Sequence, residues 1–293
     1  MINPVEIMEI AAWSAEATTT AAEHTARSLE SGKVLLLPKL GFRLAESELD
    51  LLTPECADGK AKNISYDPAT RNLRGSALTG EKRAALARMV GRFFRQARGL
   101  VETLLPGYLA SLKNGLASYR PLDIEGRQTS VTKNDMLLHV DAFASRPNQG
   151  TRILRVFSNI NPHGKPRVWE IGEPFDDIAA RYVPHIARQV PGSAWLLEML
   201  HITKGRRSEY DHIMLKLHDR MKRDDDYQRS AQRVRIEFPA GSTWICFSDR
   251  VAHAALSGQY LLEQTFYLPV AAMQDESYAP LRILEQRYQR KLA

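Results

Sequence analysis

Cysteine is scarce in this chain, with two residues in 293, Cys56 and Cys246. Two thiols exclude a disulfide framework. Cys246 lies inside the apolar run Thr243-Trp-Ile-Cys-Phe and reads as a small core residue. Long apolar runs are missing too, and none reaches the roughly 18 residues that a bilayer span needs. The N-terminal stretch Met1-Ile-Asn-Pro-Val-Glu-Ile-Met-Glu has no basic region followed by an apolar one, so no secretory signal is expected, and the cytoplasm is the expected compartment. Internal repeats and low-complexity tracts are also absent, which argues against a repeat array.

What is present is an ordinary globular composition, 44% hydrophobic and 25% charged. The length allows one large domain or two small ones, either able to bury a core. No linker or charge block marks a boundary, so a single domain over 1–293 is expected. The net charge of +6 bears on partners rather than on fold. Part of it falls in a helix expected over 79–105. There Arg88, Arg92 and Arg95 share one face, and Leu86, Met89, Val90, Phe93 and Phe94 form an apolar stripe. Such a face would attract anionic lipid headgroups or a phosphorylated substrate. It would equally serve as the solvated side of a helix packed on a sheet. No nucleic-acid-binding motif accompanies the charge, so no nucleic-acid partner is expected.

Hydrophobic periodicity predicts helices over 15–30, 79–105, 108–116, 176–189, 208–222 and 278–291. Strands are predicted over 33–38, 116–121, 129–132, 136–141, 152–160, 167–172, 233–239, 243–247 and 259–270. Residues 223–227 read as an exposed charged turn. The predicted class is α+β: a double-stranded β-helix, or jelly-roll, core with flanking helices. A helical N-terminal region covers about 1–115, and a helical insertion about 175–225.

One stretch carries chemistry. In Asp135-Met-Leu-Leu-His-Val-Asp-Ala-Phe, His139 and Asp141 would project from the same face of a strand. An imidazole and a carboxylate side by side can hold two positions of a divalent metal. His253, beyond the strand-like run 242–248, would complete a 2-His-1-carboxylate triad of the kind that binds Fe(II) in oxygenases. A competing reading makes His139 a hydrogen-bonded core histidine and Asp141 a turn residue. The flanks favour metal: a polar loop at 146–150 leads into 152–160, so 136–141 and 152–160 read as a hairpin.

Three protein ligands leave about three positions on an octahedral iron. A 2-oxo acid such as 2-oxoglutarate would take two, and O2 the last. The far carboxylate of the acid then needs a cation, and the planar fork of Arg suits it. In many such enzymes that cation lies on the strand after the distal His, but residues 254–267 here hold no Lys or Arg. Replacements are Arg155, mid-strand between Leu154 and Val156, and Arg167, which shares a face with Trp169. Asn159, Asn161 and Thr265 would add hydrogen bonds. Arg120, Arg127 and Arg250 are candidates for anionic groups of the substrate. Each arginine would equally be a solvated surface residue.

Taken together, His139-Val-Asp-Ala-Phe-Ala-Ser-Arg-Pro, Arg152-Ile-Leu-Arg-Val-Phe-Ser-Asn-Ile-Asn-Pro, Arg167-Val-Trp-Glu-Ile-Gly-Glu-Pro-Phe and Phe247-Ser-Asp-Arg-Val-Ala-His-Ala resemble the 3-deoxy-D-manno-oct-2-ulosonic acid (Kdo) 3-hydroxylases. The resemblance runs over most of the chain. It implies a jelly-roll Fe(II)/2-oxoglutarate-dependent dioxygenase that uses O2 to hydroxylate C3 of a Kdo sugar on a lipid A precursor. It places His139, Asp141 and His253 at the metal and Arg155, Arg167 and Trp169 in the co-substrate pocket. It also implies peripheral contact with the anionic cytoplasmic face of the inner membrane. The alternatives are the same chemistry on another small-molecule or protein substrate, or a non-catalytic jelly-roll binding module.

Overall fold

Along β6 (Arg152–Asn159) every residue is buried, although side chains alternate between two faces. Leu154 and Val156 enter one apolar core and Phe157 enters another. The strand is therefore the middle of a sandwich, covered on both sides. The computed structural model describes residues 3–14, 18–126 and 129–293. Its main sheet runs β1 (Val5–Ile7), β2 (Val34–Leu37), β9 (Thr243–Phe247), β6, β11 (Leu261–Leu268), β5 (Lys113–Arg120), β3 (Ile64–Asp67) and β4 (Asn72–Arg74). Only the β1–β2 pair is parallel; the others are antiparallel. A second, antiparallel sheet sets β7 (Arg167–Ile171) between β10 (His253–Ser257) and β8 (Val234–Phe238). These two sheets are the walls of the jelly roll.

The inner core between them is aromatic. Phe157 and Trp244 from the large sheet meet Trp169 and Phe238 from the small one, with Phe238 stacked on Trp244 at 4.1 Å. Each such side chain contributes roughly 1.5–3 kcal/mol on burial. Helices α1 (Thr19–Glu30), α2 (Gly80–Leu104) and α7 (Pro280–Tyr288) send Leu29, Phe93 and Leu284 into the core on the outer face of the large sheet. Between β7 and β8 lie α3 (Phe175–Tyr182), α4 (Ser193–Met199), α5 (Glu209–Arg223) and α6 (Asp225–Ser230). The Ser208 hydroxyl caps α5 by accepting from Asp211 N–H, and Asp211 returns a bond to Ser208 N–H.

Several expected elements differ. Residues 108–116 are not helical, because β5 starts at Lys113 and pairs with β11 and β3 on its two edges. A 3-10 turn at Val131–Lys133 replaces the strand expected over 129–132. Segment 136–141 makes no hairpin with β6, whose edges are taken by β9 and β11; only His139 forms a bridge, to His253. The helix expected over 176–189 stops at Tyr182, ahead of Pro184, which lacks an N–H. Residues 223–227 are no exposed turn: Asp224 caps α6 and Tyr227 is buried. Strands β1, β3 and β4 went unseen in the sequence, being only three or four residues long. On the basic face of α2, Arg92 pairs with Glu48, donates to Arg43 O (2.8 Å) and lies over the Phe42 ring, while Arg88 pairs with Glu81.

Candidate metal centre and co-substrate cavity

The two histidines meet through their backbones. His139 N–H donates to His253 O (3.0 Å), and His253 N–H donates to His139 O (2.8 Å). A doubly bonded antiparallel pair puts both side chains on one face, and the rings lie 4.6 Å apart. Two residues on, Asp141 returns to that face. Its N–H is held by Ser248 O at 2.8 Å. One ligand atom from each of His139, Asp141 and His253 lies within 4.8 Å of the others.

Each imidazole is pinned from behind. Nδ1 of His139 lies 2.8 Å from Leu137 O, and Nδ1 of His253 lies 2.8 Å from Val251 O. A carbonyl only accepts, so Nδ1 carries the proton and Nε2 presents a lone pair. Burial, then the neighbouring imidazole, pushes His139 well below the usual histidine range, and burial lowers His253 as well. Both are neutral at pH 7, as a metal ligand must be. Burial by itself would raise the Asp141 carboxyl, but the Arg155 guanidinium overrides it and holds the group well below the carboxylate range. Two lone-pair nitrogens and one ionised carboxylate fit a divalent first-row metal.

A cavity of about 420 Å³ opens beside this trio. A chain of opposite charges runs along it. Lys62 meets Asp135 (2.6 Å), Asp135 meets Arg120 (3.8 Å), and Arg120 pairs with Glu263. Glu263 in turn meets Arg155 (2.9 Å), which reaches Asp141 (3.1 Å). This explains the missing cation after His253. Strand β11 supplies an acid instead, and Glu263 holds one arginine from β5 and one from β6 side by side. Among the described residues, cavity-lining donors without an acceptor include Nε of Arg120, Nε of Arg155 and Nε1 of Trp169. Each unpaired buried donor costs about 1–3 kcal/mol, a cost that an anionic group entering the cavity would reduce. Trp169 also stacks on His253, ring to ring at 4.9 Å. Arg167 lines the same cavity and donates to Gly258 O at 2.7 Å.

Other expected contacts go elsewhere. Arg250 is turned away, donating to Tyr278 O (2.6 Å) and pairing with Asp176 (3.2 Å). Asn159 donates to Lys165 O and Phe238 O, while Asn161 accepts from His163 and Lys165 N–H, so both brace the 161–165 turn. The Thr265 hydroxyl reaches Glu263 (3.4 Å). Arg127 lies outside the described residues. The sequence reading passed over Lys62, Asp135, Lys222 and Glu263, all within the site. Glu263 carried a signal, since it is a charge in the middle of a predicted strand, as Arg155 is. Lys222 carried none, because on a helix it resembles any solvated lysine.

A jelly roll that brings two imidazoles and one carboxylate to one point has the architecture of a non-haem iron oxygenase. Residues 12–291 match the model of the family described as 3-deoxy-D-manno-oct-2-ulosonic acid (Kdo) hydroxylase. Among solved structures, the chain is similar to the Kdo hydroxylase KdoO, described as a non-haem Fe(II) α-ketoglutarate-dependent dioxygenase. Its cobalt(II) complex is 46% identical, with a TM-score of 0.96 over 99% of this chain and 97% of that one. Its complex with α-ketoglutarate and Fe(III) is 45% identical, with the same TM-score and coverage. No curated protein sequence matches. The chain belongs to the Kdo hydroxylase family of Fe(II)/2-oxoglutarate-dependent dioxygenases. Among the described residues, no helix is long and apolar enough to cross a membrane.

Proposed function

We propose that the enzyme hydroxylates C3 of a Kdo sugar carried on a lipid A precursor, working peripherally at the cytoplasmic face of the inner membrane, and that the chain acts as one oxygenase unit. The observation that carries this reading is the convergence of His139, Asp141 and His253 beside a cavity lined by cations. These three residues would hold Fe(II). When bound, the iron supplies activation of O2 coupled to oxidative decarboxylation of 2-oxoglutarate.

The remaining work belongs to the side chains. The Nδ1 bonds to Leu137 O and Val251 O stop both imidazoles rotating. Arg155 steadies Asp141, and its Nε, which has no partner among the described residues, would be available to the co-substrate carboxylate. Arg167 and Trp169 complete that pocket, and Phe157, Leu261 and Ala255 exclude water from it. An acidic sugar calls for further cations, and Arg120, Lys62 and Lys222 line the same cavity. Arg127 is proposed as a substrate contact on its chemistry alone. Asp141→Ala should abolish Fe(II)-dependent succinate formation. Mass spectrometry of lipopolysaccharide core from cells with and without the gene should show one extra oxygen on Kdo. Succinate formation unchanged by Asp141→Ala would refute the metal assignment, and no mass shift would refute the substrate.

A further inference from the structure

Large apolar side chains exposed on the described residues concentrate in one short segment. Val190, Trp195, Leu196, Met199, Leu200 and Ile202 lie within thirteen residues, between 46% and 70% exposed. Helix α4 explains the arrangement. Trp195, Leu196, Met199 and Leu200 follow i, i+1, i+4, i+5 spacing and form one outward stripe. Leu197 points the other way, half-buried, and its carbonyl accepts from Ile202 and Thr203 N–H to close the segment. Such a contiguous apolar patch on a folded surface marks something to be covered.

The surroundings say what covers it. Between residues 188 and 207 there are four cations, Arg188, Lys204, Arg206 and Arg207, and a single acid, Glu198. Arg188, Lys204 and Arg206 make no ion pair among the described residues. Beside the start of α4 lies a depression of about 560 Å³ whose lining includes Arg188, Arg206, Arg207, Arg290 and Lys291. Its one acidic side chain, Glu209, is already paired with Arg290. An apolar stripe carrying Trp within a basic collar is the composition of an interfacial membrane anchor. A second copy of the chain fits poorly, since it would press two such collars together.

The segment also hangs on the active site. Lys204 N–H donates to Ser145 O (2.9 Å) and Arg207 to Ala144 O (2.6 Å). Residues 142–144 directly follow Asp141 and line the catalytic cavity. We propose that residues 188–207 form an anchor that inserts into an anionic bilayer and brings the cavity mouth to the lipid surface. The contact is assigned to α4 and not to α2, whose apolar residues Leu86, Met89, Val90 and Phe93 are buried in the protein and leave only the cations Arg88 and Arg95 exposed on that face. The use of the anchor, though not its existence, rests on the lipid-linked acceptor proposed above.

Flotation of the full chain with phosphatidylethanolamine–phosphatidylglycerol vesicles tests it, with phosphatidylcholine vesicles as the neutral control. The wild type should bind the anionic vesicles, more weakly in high salt, with a blue shift of Trp emission. Trp195→Glu with Leu200→Glu should lose binding and shift together. Arg188→Glu with Arg206→Glu should weaken anionic binding about tenfold or more. Both variants should keep wild-type succinate formation on a soluble Kdo glycoside, showing an intact fold. Wild type that ignores anionic vesicles, or variants that bind as well as wild type, would overturn the anchor. So would a wild-type dimer that these substitutions split. Vesicle binding without hydroxylation of lipid-linked Kdo would leave the anchor standing and remove the substrate reading.

Discussion

As the proposed co-substrate anchor and a member of a buried ionic array, Arg155 should show two separable costs on removal. Its guanidinium is buried against Asp141 at 3.1 Å and Glu263 at 2.9 Å. Arg155→Met would leave two buried carboxylates without that counter-charge. Removing one partner of a buried ionic array costs about 3–5 kcal/mol. With an unfolding entropy of roughly 2.1 cal/mol/K per residue, a chain of 293 residues should lose roughly 5–8 °C in Tm. The second cost is the proposed charge-assisted bond from Nε to 2-oxoglutarate, whose loss, at about 1.5–3 kcal/mol, should give a roughly 10- to 150-fold rise in KM. Arg155→Lys separates the two. It returns a charge near both acids but not the planar fork, so Tm should recover largely while KM stays high. Thermal unfolding by circular dichroism and succinate release against 2-oxoglutarate concentration read the two effects. A KM for 2-oxoglutarate unchanged in Arg155→Met would refute the anchor, and an unchanged Tm would refute the buried array.

Burial lowers Lys222 to about 8, and its charged neighbours are Asp135, Lys62, Asp141 and Asp219. It is cationic below that pH and neutral above, so KM for the acidic acceptor should rise as pH passes 8. Lys222→Met should raise KM at pH 7 and flatten that limb; a pH profile identical to wild type would dismiss the residue. Because the folded value lies below the ordinary 10.5, the cost to stability is full below about pH 8 and fades toward 10.5. Gly258 has φ +116°, and a Cβ there would sit 2.8 Å from Arg167 Cδ and 3.0 Å from its Cα. Gly258→Ala should therefore displace Arg167, lowering Tm and raising KM for 2-oxoglutarate; unchanged values of both would show that Arg167 does not depend on this approach. Buried Glu30 accepts from Tyr108 hydroxyl and from Gln274 and Asp275 N–H. Glu30→Ala should cost roughly 3 kcal/mol, as three donors lose one charged acceptor, with kcat per folded molecule unchanged; a matching loss of kcat would place Glu30 in the chemistry.

Much of the large sheet was legible because alternation is a local property. Strands β2, β6, β9 and β11 of that sheet, and β7 and β8 of the small one, each stand out as strand-like runs bounded by turn residues, and α2 by its apolar stripe. The triad was legible for a related reason. His139 and Asp141 share a face at spacing two because the backbone there runs extended, held by the His139–His253 bridge and by Asp141 N–H to Ser248 O, although no full strand forms. The expected hairpin with β6 does not form, because β6 pairs with β9 and β11 instead.

Sequence alone determined which side chains alternate and which residue types can ligate a metal or face a carboxylate, because these depend on neighbours within a few positions. Only the tertiary structure decided that Glu263 would clasp Arg120 and Arg155, that Arg250 would turn from the site, and that α4 would leave its apolar stripe uncovered. Those outcomes rest on pairings across 70 or more residues and on surface left unburied after packing, and no local pattern encodes either.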